Sequence, residues 1–535
     1  NALTSGGAQL SAVFSTDLWE SVGHESRPTG YYRPLFLLSL GLDGLLWPGS
    51  ASGFHAQSIG WHLVAVLFFF LLLRSLFRSG PALLGAVIFG LHPIQSEAVA
   101  WISARSDPMA AAFMFAGLWL LLPARPGRPR LVLGGLLLLL AMLCKETAVA
   151  AFVLLVGLDF ARWGRPQAGA RYLAAGLAAV SWFGLRSLAG LSGPSLSLLD
   201  PTEGVRVLVV YLARIVWPWP LRVGRHLQEL DTAPGEWAAA GLCTVLLLVL
   251  IYRGRRWAVA GLLFALATFL PVLLSIEAHG QLGERYLYLP VAGVGLALAG
   301  VFSRWAPYRL LAGLALLVGL AGALGVSLRL PDWRDSESLW RAELAAGAGG
   351  YAQGNFANFL HRKHRLEDAA EHYRGALEAQ PPRLLLCGDA LRLARELTDP
   401  DAGIELLRLA YLRGCNQSPG SEGTHALLLA RLGRWVEAEA LASSHGDDPT
   451  GRSQLVLAAV ARRQGDPATV DRIAEQYAQR GVARPAFESM LQTLGAGAGP
   501  VPPASSLEEG PRAGSGDSAA TSPQEPESQE QQPGG

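Results

Sequence analysis

QSIGWHLVAVLFFFLLLRSLF (57–77) decides the class of the whole chain. Its twenty-one residues carry one charged side chain, Arg74, and a helix needs roughly 17–25 apolar residues to cross the hydrocarbon core of a bilayer. The next run, PALLGAVIFGLHPIQSE (81–97), repeats the pattern, and further runs follow near 107–123, 131–145, 146–161, 170–190, 237–252, 257–276, 286–303 and 308–328. Ten spans result. Two shorter apolar stretches, Pro34–Trp47 and Val205–Trp217, carry Asp43, Arg206 or Arg214 and read as helices lying in the membrane interface.

Composition agrees with that reading. Of 535 residues, 51% are apolar and 16% charged, with mean hydropathy +0.28, where an average soluble domain has about 25% charged residues. The charge is unevenly placed, with 24 Lys/Arg against 15 Asp/Glu before Pro331 and 20 against 28 from there on. The first part is therefore basic and lipid-embedded, the second acidic and aqueous. The near-neutral total gives no support to nucleic-acid binding, which wants a clustered basic surface. Cys144 and Cys243 sit in apolar runs; Cys387 and Cys415 read as free thiols, with pairing as the alternative in an oxidising compartment. The chain begins at Asn1 without a Met or a leading apolar span and reads as a fragment lacking its true N-terminus.

Thirteen arginines, in the loops around 74–78, 125–130, 162–171, 253–256 and 304–309, fall on one side of this ten-span pattern. The positive-inside rule makes that side cytoplasmic. Segments 1–56, 98–106, 145–146, 191–236 and 277–285, and everything after Arg329, then face outward. After Pro331 the pattern becomes amphipathic, and AQGNFANFLHRKHRLEDAAEHYRGALEAQPP (352–382) has the small, apolar and terminal-proline positions of a tetratricopeptide repeat: Ala352, Asn355, Leu360, Ala369, Tyr373, Ala376 and Pro381. Ala402 and Ala438 return the small residue near the repeat's period of about 34. The Gly-, Pro-, Ser-, Gln- and Glu-rich tail has the composition of disorder. The expected divisions are 1–56, an outward loop with an interfacial helix; 57–329, the membrane domain; 330–495, the repeats; and 496–535, the tail.

Ionisable groups near a membrane core cost about 2.5–3.5 kcal/mol on insertion scales and so ask for a reason. Four outward clusters ask. DLWESVGHESRPTGYYRPL (17–35) contains Asp17, Tyr32 and Arg33; HPIQSEAVAWISARSDP (92–108) contains His92, Glu97, Arg105 and Asp107 between helix-breaking prolines; Lys145–Glu146 join two spans with almost no loop; and HGQLGERYLYLP (279–290) puts Glu284, Arg285, Tyr286 and Tyr288 at a helix start suited to phosphate. Each also has a plainer reading, as an interfacial aromatic anchor or a salt-bridged turn. His62, alone on its span, is the weakest candidate. There is no HExxH, paired CxxC or GxxxxGK[ST] motif, which argues against a zinc hydrolase or P-loop ATPase.

Taken in order, YYRPL (31–35), HPIQSEAVAWISARSDP (92–108), KET (145–147), ERYLYLP (284–290) and DWRDSESLW (332–340), followed by repeats, resemble the transmembrane and tetratricopeptide-repeat (TMTC) O-mannosyltransferases. The Arg-rich composition suggests a bacterial relative. The resemblance implies an all-α chain, a polytopic GT-C-type transmembrane bundle followed by an α-solenoid of tetratricopeptide repeats. It also implies transfer of a mannose-like hexose from a polyprenyl-phosphate carrier to a hydroxyl of a protein or glycan acceptor, on the extracytoplasmic side. In that family an acidic pair lies in the first outward loop, upstream of the stretch matched here by FSTDLWE, so Asp17 is carried over only as its neighbour.

A lipid phosphate is already a leaving group, so such an enzyme needs a carboxylate for the acceptor proton and cations for the departing phosphate. Asp17, Glu97 and Asp107 are the catalytic candidates. Arg33, Tyr32, His92, Arg105, Lys145, Glu146, Glu284, Arg285 and Tyr288 are the candidates for substrate and lipid-phosphate binding, with Glu284 holding Arg285. No metal, cofactor or nucleic acid is expected. The partners are the lipid-linked sugar and an acceptor held by the repeats. A bacterial chain would sit in the inner membrane with periplasmic repeats, a eukaryotic one in the endoplasmic reticulum with lumenal repeats. The alternatives are a non-catalytic scaffold recruiting proteins through its repeats, and a lipid or glycan transporter.

Overall fold

A computed structural model describes residues 31–167, 169–191, 199–219, 232–254, 256–279, 281–303, 306–379, 387–415, 421–445 and 450–495, with a few single positions between them. Asp17 lies outside the described residues. The chain divides into two compact units, residues 1–363 with 371–383, and 364–370 with 384–535.

Among its described residues the first unit is predominantly helical. Its helices are α1 (Pro34–Leu46), α2 (Ala51–Arg74), α3 (Ser79–Leu91), α4 (Gln95–Ala100), α5 (Ser106–Leu121), α6 (Arg128–Cys144), α7 (Ala151–Trp163), α8 (Gly169–Leu188), α9 (Pro201–Val216), α10 (Pro234–Gly254), α11 (Arg256–His279), α12 (Tyr288–Phe302), α13 (Tyr308–Arg329), α14 (Ser336–Ala345), α15 (Gly350–Arg362) and α16 (Leu366–Glu378), the last shared with the second unit. Each of the ten apolar runs is occupied by a helix. Five segments are long and apolar enough to cross a membrane, by length and composition: Ala51–Arg74, Pro234–Arg253, Arg256–Leu274, Glu284–Phe302 and Tyr308–Trp333. The unit is that of an integral membrane protein.

Local chemistry sets where these helices start and stop. Pro34 and Pro201 open α1 and α9 at a position whose N–H has no intrahelical partner, and the Asp200 side chain accepts from the Thr202 amide at 2.9 Å. Gly164, at φ 72°, ends α7 in the left-handed conformation that favours glycine. The run expected as one span over 81–97 is broken at Leu91. His92 is extended, the conformation favoured before a proline, and α4 restarts the helix at Gln95. That break makes the turn carrying Glu97.

α12 runs against α11 and α3, and most of its residues are buried. Glycines permit this. A Cβ on Gly85 would lie 2.7 Å from the Gly295 carbonyl oxygen, and one on Gly295 would lie 2.6 Å from that of Gly85. With no hydrophobic gain between helices in lipid, such close backbone contact supplies the packing. Around it Phe69, Phe89, Phe115 and Tyr288 meet at ring-centroid separations of 4.8–5.7 Å. The short strands β1 (Arg225–His226) and β2 (Gln281–Leu282) pair antiparallel and hold the segment after α9 beside the start of α12.

α15 and α16 form the repeat read from the sequence: Ala352, Leu360, Ala369, Tyr373 and Ala376 are all fully buried. In the second unit, α17 (Cys387–Glu396) with α18 (Pro400–Leu412), α19 (Ser421–Arg431) with α20 (Trp435–Ser444), and α21 (Arg452–Gln464) with α22 (Pro467–Gln479) are helical hairpins, followed by α23 (Arg484–Gly495). Their starts at 387, 421 and 452 keep the solenoid period despite divergent sequence. The free-thiol reading of Cys387 and Cys415 is corrected: they form a disulfide, with Cα atoms 5.3 Å apart. The α17/α18 hairpin returns the end of α18 to the start of α17, which spacing along the chain alone did not reveal.

Candidate active site

Four separate sequence motifs deliver three ion pairs to one place. Arg33, just before α1, grips Glu146 with a two-pronged fork, Nε to Oε2 at 3.0 Å and Nη2 to Oε1 at 2.6 Å. Lys145, extended at the end of α6, donates its ammonium to both oxygens of Asp107 at 2.6 and 2.7 Å. Arg285, in the 3-10 turn leading into α12, donates its backbone N–H to Glu97 Oε2 at 3.0 Å and its Nη1 to Glu97 Oε1. Tyr31 feels the charges of Arg33, Glu146 and Arg285, and both Arg33 and Arg285 feel Asp107, so the pairs are one electrostatic cluster.

Aromatic faces frame the cations. The Arg285 guanidinium lies 4.6 Å from the ring centroids of both Trp101 and Tyr286, and that of Arg33 lies 4.5 Å from the Tyr31 ring. Burial would lower the pKa of Arg33, but the Glu146 charge and its hydrogen bond raise it above the ordinary guanidinium value. Burial pushes the Tyr31 phenol well up, with Arg33 pulling the other way. Arg33 and Arg285 are thus fixed positive charges, and the phenol of Tyr31 is a neutral donor.

The remaining sequence candidates fall elsewhere. Arg105 is fully buried and belongs to a second cluster: it donates to Ser58 at 3.0 Å, Gln57 at 3.0 Å and the Phe54 carbonyl at 2.8 Å, and pairs with Asp43 at 2.5 Å. His92 bridges the Ile215 carbonyl and the Ile94 amide. Tyr32 is buried in the apolar core, and the Tyr288 hydroxyl meets His62 Nδ1 at 2.7 Å while His62 Nε2 faces the Gly90 carbonyl. That carbonyl needs a donor, so Nε2 carries the His62 proton and Tyr288 donates to Nδ1. The expectation that Glu284 holds Arg285 is corrected. Glu97 holds it, while Glu284 accepts from the Arg222 amide at 2.5 Å.

Trp101 was not singled out from sequence, although its place four residues after Glu97 is a signal that could have found it. Tyr211 was missed as well; its hydroxyl donates to the Gly283 carbonyl at 3.1 Å and steadies the turn before Arg285.

Close to Glu146 the surface becomes apolar and concave. A groove of about 400 Å³ is lined by Leu138, Met142, Val149, Phe152, Leu270 and Pro271. It shares Phe152 and Val153 with a second groove of about 570 Å³, lined also by Gly157, Phe160, Val259 and Leu263. Val149, in the lining of the first groove, is three residues from Glu146 in the chain.

Comparison with known proteins puts a family beside this geometry. The chain is 37% identical over 172 residues to the protein O-mannosyl-transferase Tmtc2 of Drosophila melanogaster, covering 30% of this chain and 18% of the fly protein. It is 23% identical over 407 residues to the protein O-mannosyl-transferase F38B6.6 of Caenorhabditis elegans, covering 71% of this chain and 58% of the worm protein. The chain resembles the TMTC protein O-mannosyl-transferases. Mouse TMTC3 matches at 28% over 107 residues, 20% of this chain and 12% of the mouse protein. No family profile and no solved structure matches. The chain therefore spans at most 58% of the length of these TMTC relatives.

Proposed function

We propose that the chain is an integral-membrane glycosyltransferase. It moves a mannose-like hexose from a polyprenyl-phosphate carrier to a hydroxyl of a protein or glycan acceptor on the extracytoplasmic side. The observation that carries this reading is the convergence of Arg33, Lys145 and Arg285, each with its own carboxylate; an apolar groove whose lining includes Val149, three residues from Glu146, supports it. Preorganised cations beside a leaving phosphate stabilise the charge that develops as the sugar departs. Relatives named protein O-mannosyl-transferases supply the sugar and acceptor class.

In this reading the acceptor oxygen attacks the anomeric carbon, the bond from that carbon to the phosphate oxygen breaks, and the electron pair stays on the phosphate. A carboxylate takes the acceptor proton. Glu97 is fully buried and Asp107 nearly so, and both are engaged by cations, so they orient Arg285 and Lys145 rather than reach the acceptor. The groove between α7 and α11 takes the isoprenoid tail, and the repeats hold the acceptor. The thirteen arginines that the ten-span reading assigns to the opposite side support outward placement of the ion pairs. The test is transfer of radiolabelled mannose from a synthetic polyprenyl-phosphate mannose to an acceptor polypeptide by purified protein in lipid nanodiscs. Labelled acceptor is expected; a folded protein that transfers no sugar from any polyprenyl-phosphate hexose would overturn it.

A further inference from the structure

The three ion pairs are not equivalent, and the difference assigns a role to Glu146. Glu97 has no exposed side-chain surface and Asp107 has 5%, so pulling either from its cation would strand a buried charge. Glu146 is different: its side chain is 27% exposed, while Arg33 beneath it is 12% exposed. A carboxylate leaving Arg33 there goes into water and loses little. The fork occupies Arg33 Nε and Nη2, the edge that would otherwise take a phosphate in the same two-pronged way.

We infer that Glu146 is a displaceable counterion: the donor's phosphate takes the Arg33 fork from it, and Glu146 returns to the fork to expel the polyprenyl phosphate left after transfer. This rests on the glycosyltransferase reading above and adds a release step to it. The chemistry favours such a device. The donor is a phosphodiester with one negative charge, whereas the product is a phosphomonoester with charge near −2 at neutral pH. A site of fixed cations therefore holds product more tightly than substrate and would stall. A carboxylate tethered beside the fork competes with either ligand for Arg33, and it repels the dianionic product more strongly than the monoanionic donor. Lys145, next in the chain, is held by Asp107 and keeps Glu146 near the site when the fork opens. No bond is made or broken in the exchange; one ion pair replaces another. Glu146 is a positioning residue, acting through Arg33.

The test measures direct binding of a short synthetic polyprenyl phosphate to nanodisc-embedded protein by titration calorimetry, alongside its inhibition of mannose transfer. Glu146→Gln should bind the phosphate about tenfold more tightly and turn over more slowly, with donor KM lowered rather than raised. Glu146→Asp, which keeps the charge on a shorter arm, should lie between and serves in its place should Glu146→Gln not fold. In an Arg33→Gln background, Glu146→Gln should give no gain in phosphate affinity. Unchanged affinity in Glu146→Gln with a collapsed kcat would overturn the inference, making Glu146 the acceptor's base or a structural group. So would a gain that persists without Arg33. Tight phosphate binding by wild-type protein that transfers no sugar would instead contradict the glycosyltransferase reading, and the titration still decides the exchange.

Discussion

Glu97 holds Arg285 at two points, the backbone amide at 3.0 Å and the guanidinium, across 188 residues of chain. One carboxylate thereby fixes both where α12 begins and where its cation points. Trp101 and Tyr286 flank the guanidinium, and the Glu97 side chain has no exposed surface, so its charge has no water to fall back on.

Removing one partner of such a pair leaves an uncompensated charge, which costs about 3–5 kcal/mol in buried sites. Glu97→Ala should therefore lower the unfolding temperature in detergent and abolish donor binding together. Glu97→Gln keeps the backbone contact, through its amide oxygen, and should recover part of the stability but little of the activity. Scanning fluorimetry beside donor titration checks both; a stable Glu97→Ala protein with normal donor affinity would contradict the assignment.

Arg105 gives the opposite expectation. Its partners Asp43, Ser58, Gln57 and the Phe54 carbonyl tie α1, α2 and the start of α5 together. Arg105→Ala should cost about 3–5 kcal/mol of stability. The folded fraction should keep its donor KM, and Arg105→Met with Asp43→Leu should restore stability by removing both charges. A raised donor KM in a stable Arg105 variant would return this residue to the phosphate site.

The Cys387–Cys415 disulfide closes a loop of 28 residues. Chain-entropy arguments give such a crosslink about 3–4 kcal/mol. Chemical denaturation of the repeats with and without reductant should show a lower midpoint when reduced, and Cys387→Ser with Cys415→Ser should match the reduced protein. Identical midpoints would show that the bridge adds nothing to stability. A disulfide also fits an oxidising compartment, which is where the proposed orientation would put the repeats.

Asp448 sets a pH dependence in the same unit. Burial raises its pKa, but hydrogen bonds from Thr450 and the Ser453 amide outweigh that and hold it below the ordinary carboxylate value. Its stabilisation is therefore fully present above the unfolded pKa, near 4, and is lost as pH falls through the lower folded value. Asp448→Ala should cost about 1–3 kcal/mol at pH 7 and flatten the acid limb of the stability profile between pH 5 and the folded pKa. An unchanged profile would mean the carboxylate is not held in solution.

How much of this was legible in the sequence depends on what each residue's partner was. The apolar helices were readable because each apolar run is long and local, and the first repeat because its small residues recur at fixed spacing. The break at Leu91 is consistent with Pro93, since the residue before a proline is biased away from helical backbone. Arg33, Lys145, Glu146 and Arg285 could be singled out because charges beside apolar runs are conspicuous. Which carboxylate met which cation was not readable: Arg33 reaches Glu146 across 113 residues, and Glu284, adjacent to Arg285, does not hold it. Arg105 resembled the other cations in sequence and differs only because Asp43, in what looked like an interfacial helix, lies against it.

The central claim is that the cations beside the apolar groove hold a lipid-linked phosphate as the sugar leaves it, and Arg285 tests it most directly. The measurement is the rate of mannose transfer from synthetic polyprenyl-phosphate mannose by wild-type, Arg285→Lys and Arg285→Ala proteins, each confirmed folded by gel filtration in detergent. Arg285→Ala should be slower by roughly a hundredfold or more, the range for losing one preorganised charge partner, with Arg285→Lys between. Wild-type rates from well-folded Arg285→Ala would contradict the account and leave Arg285 as an anchor in the aromatic belt.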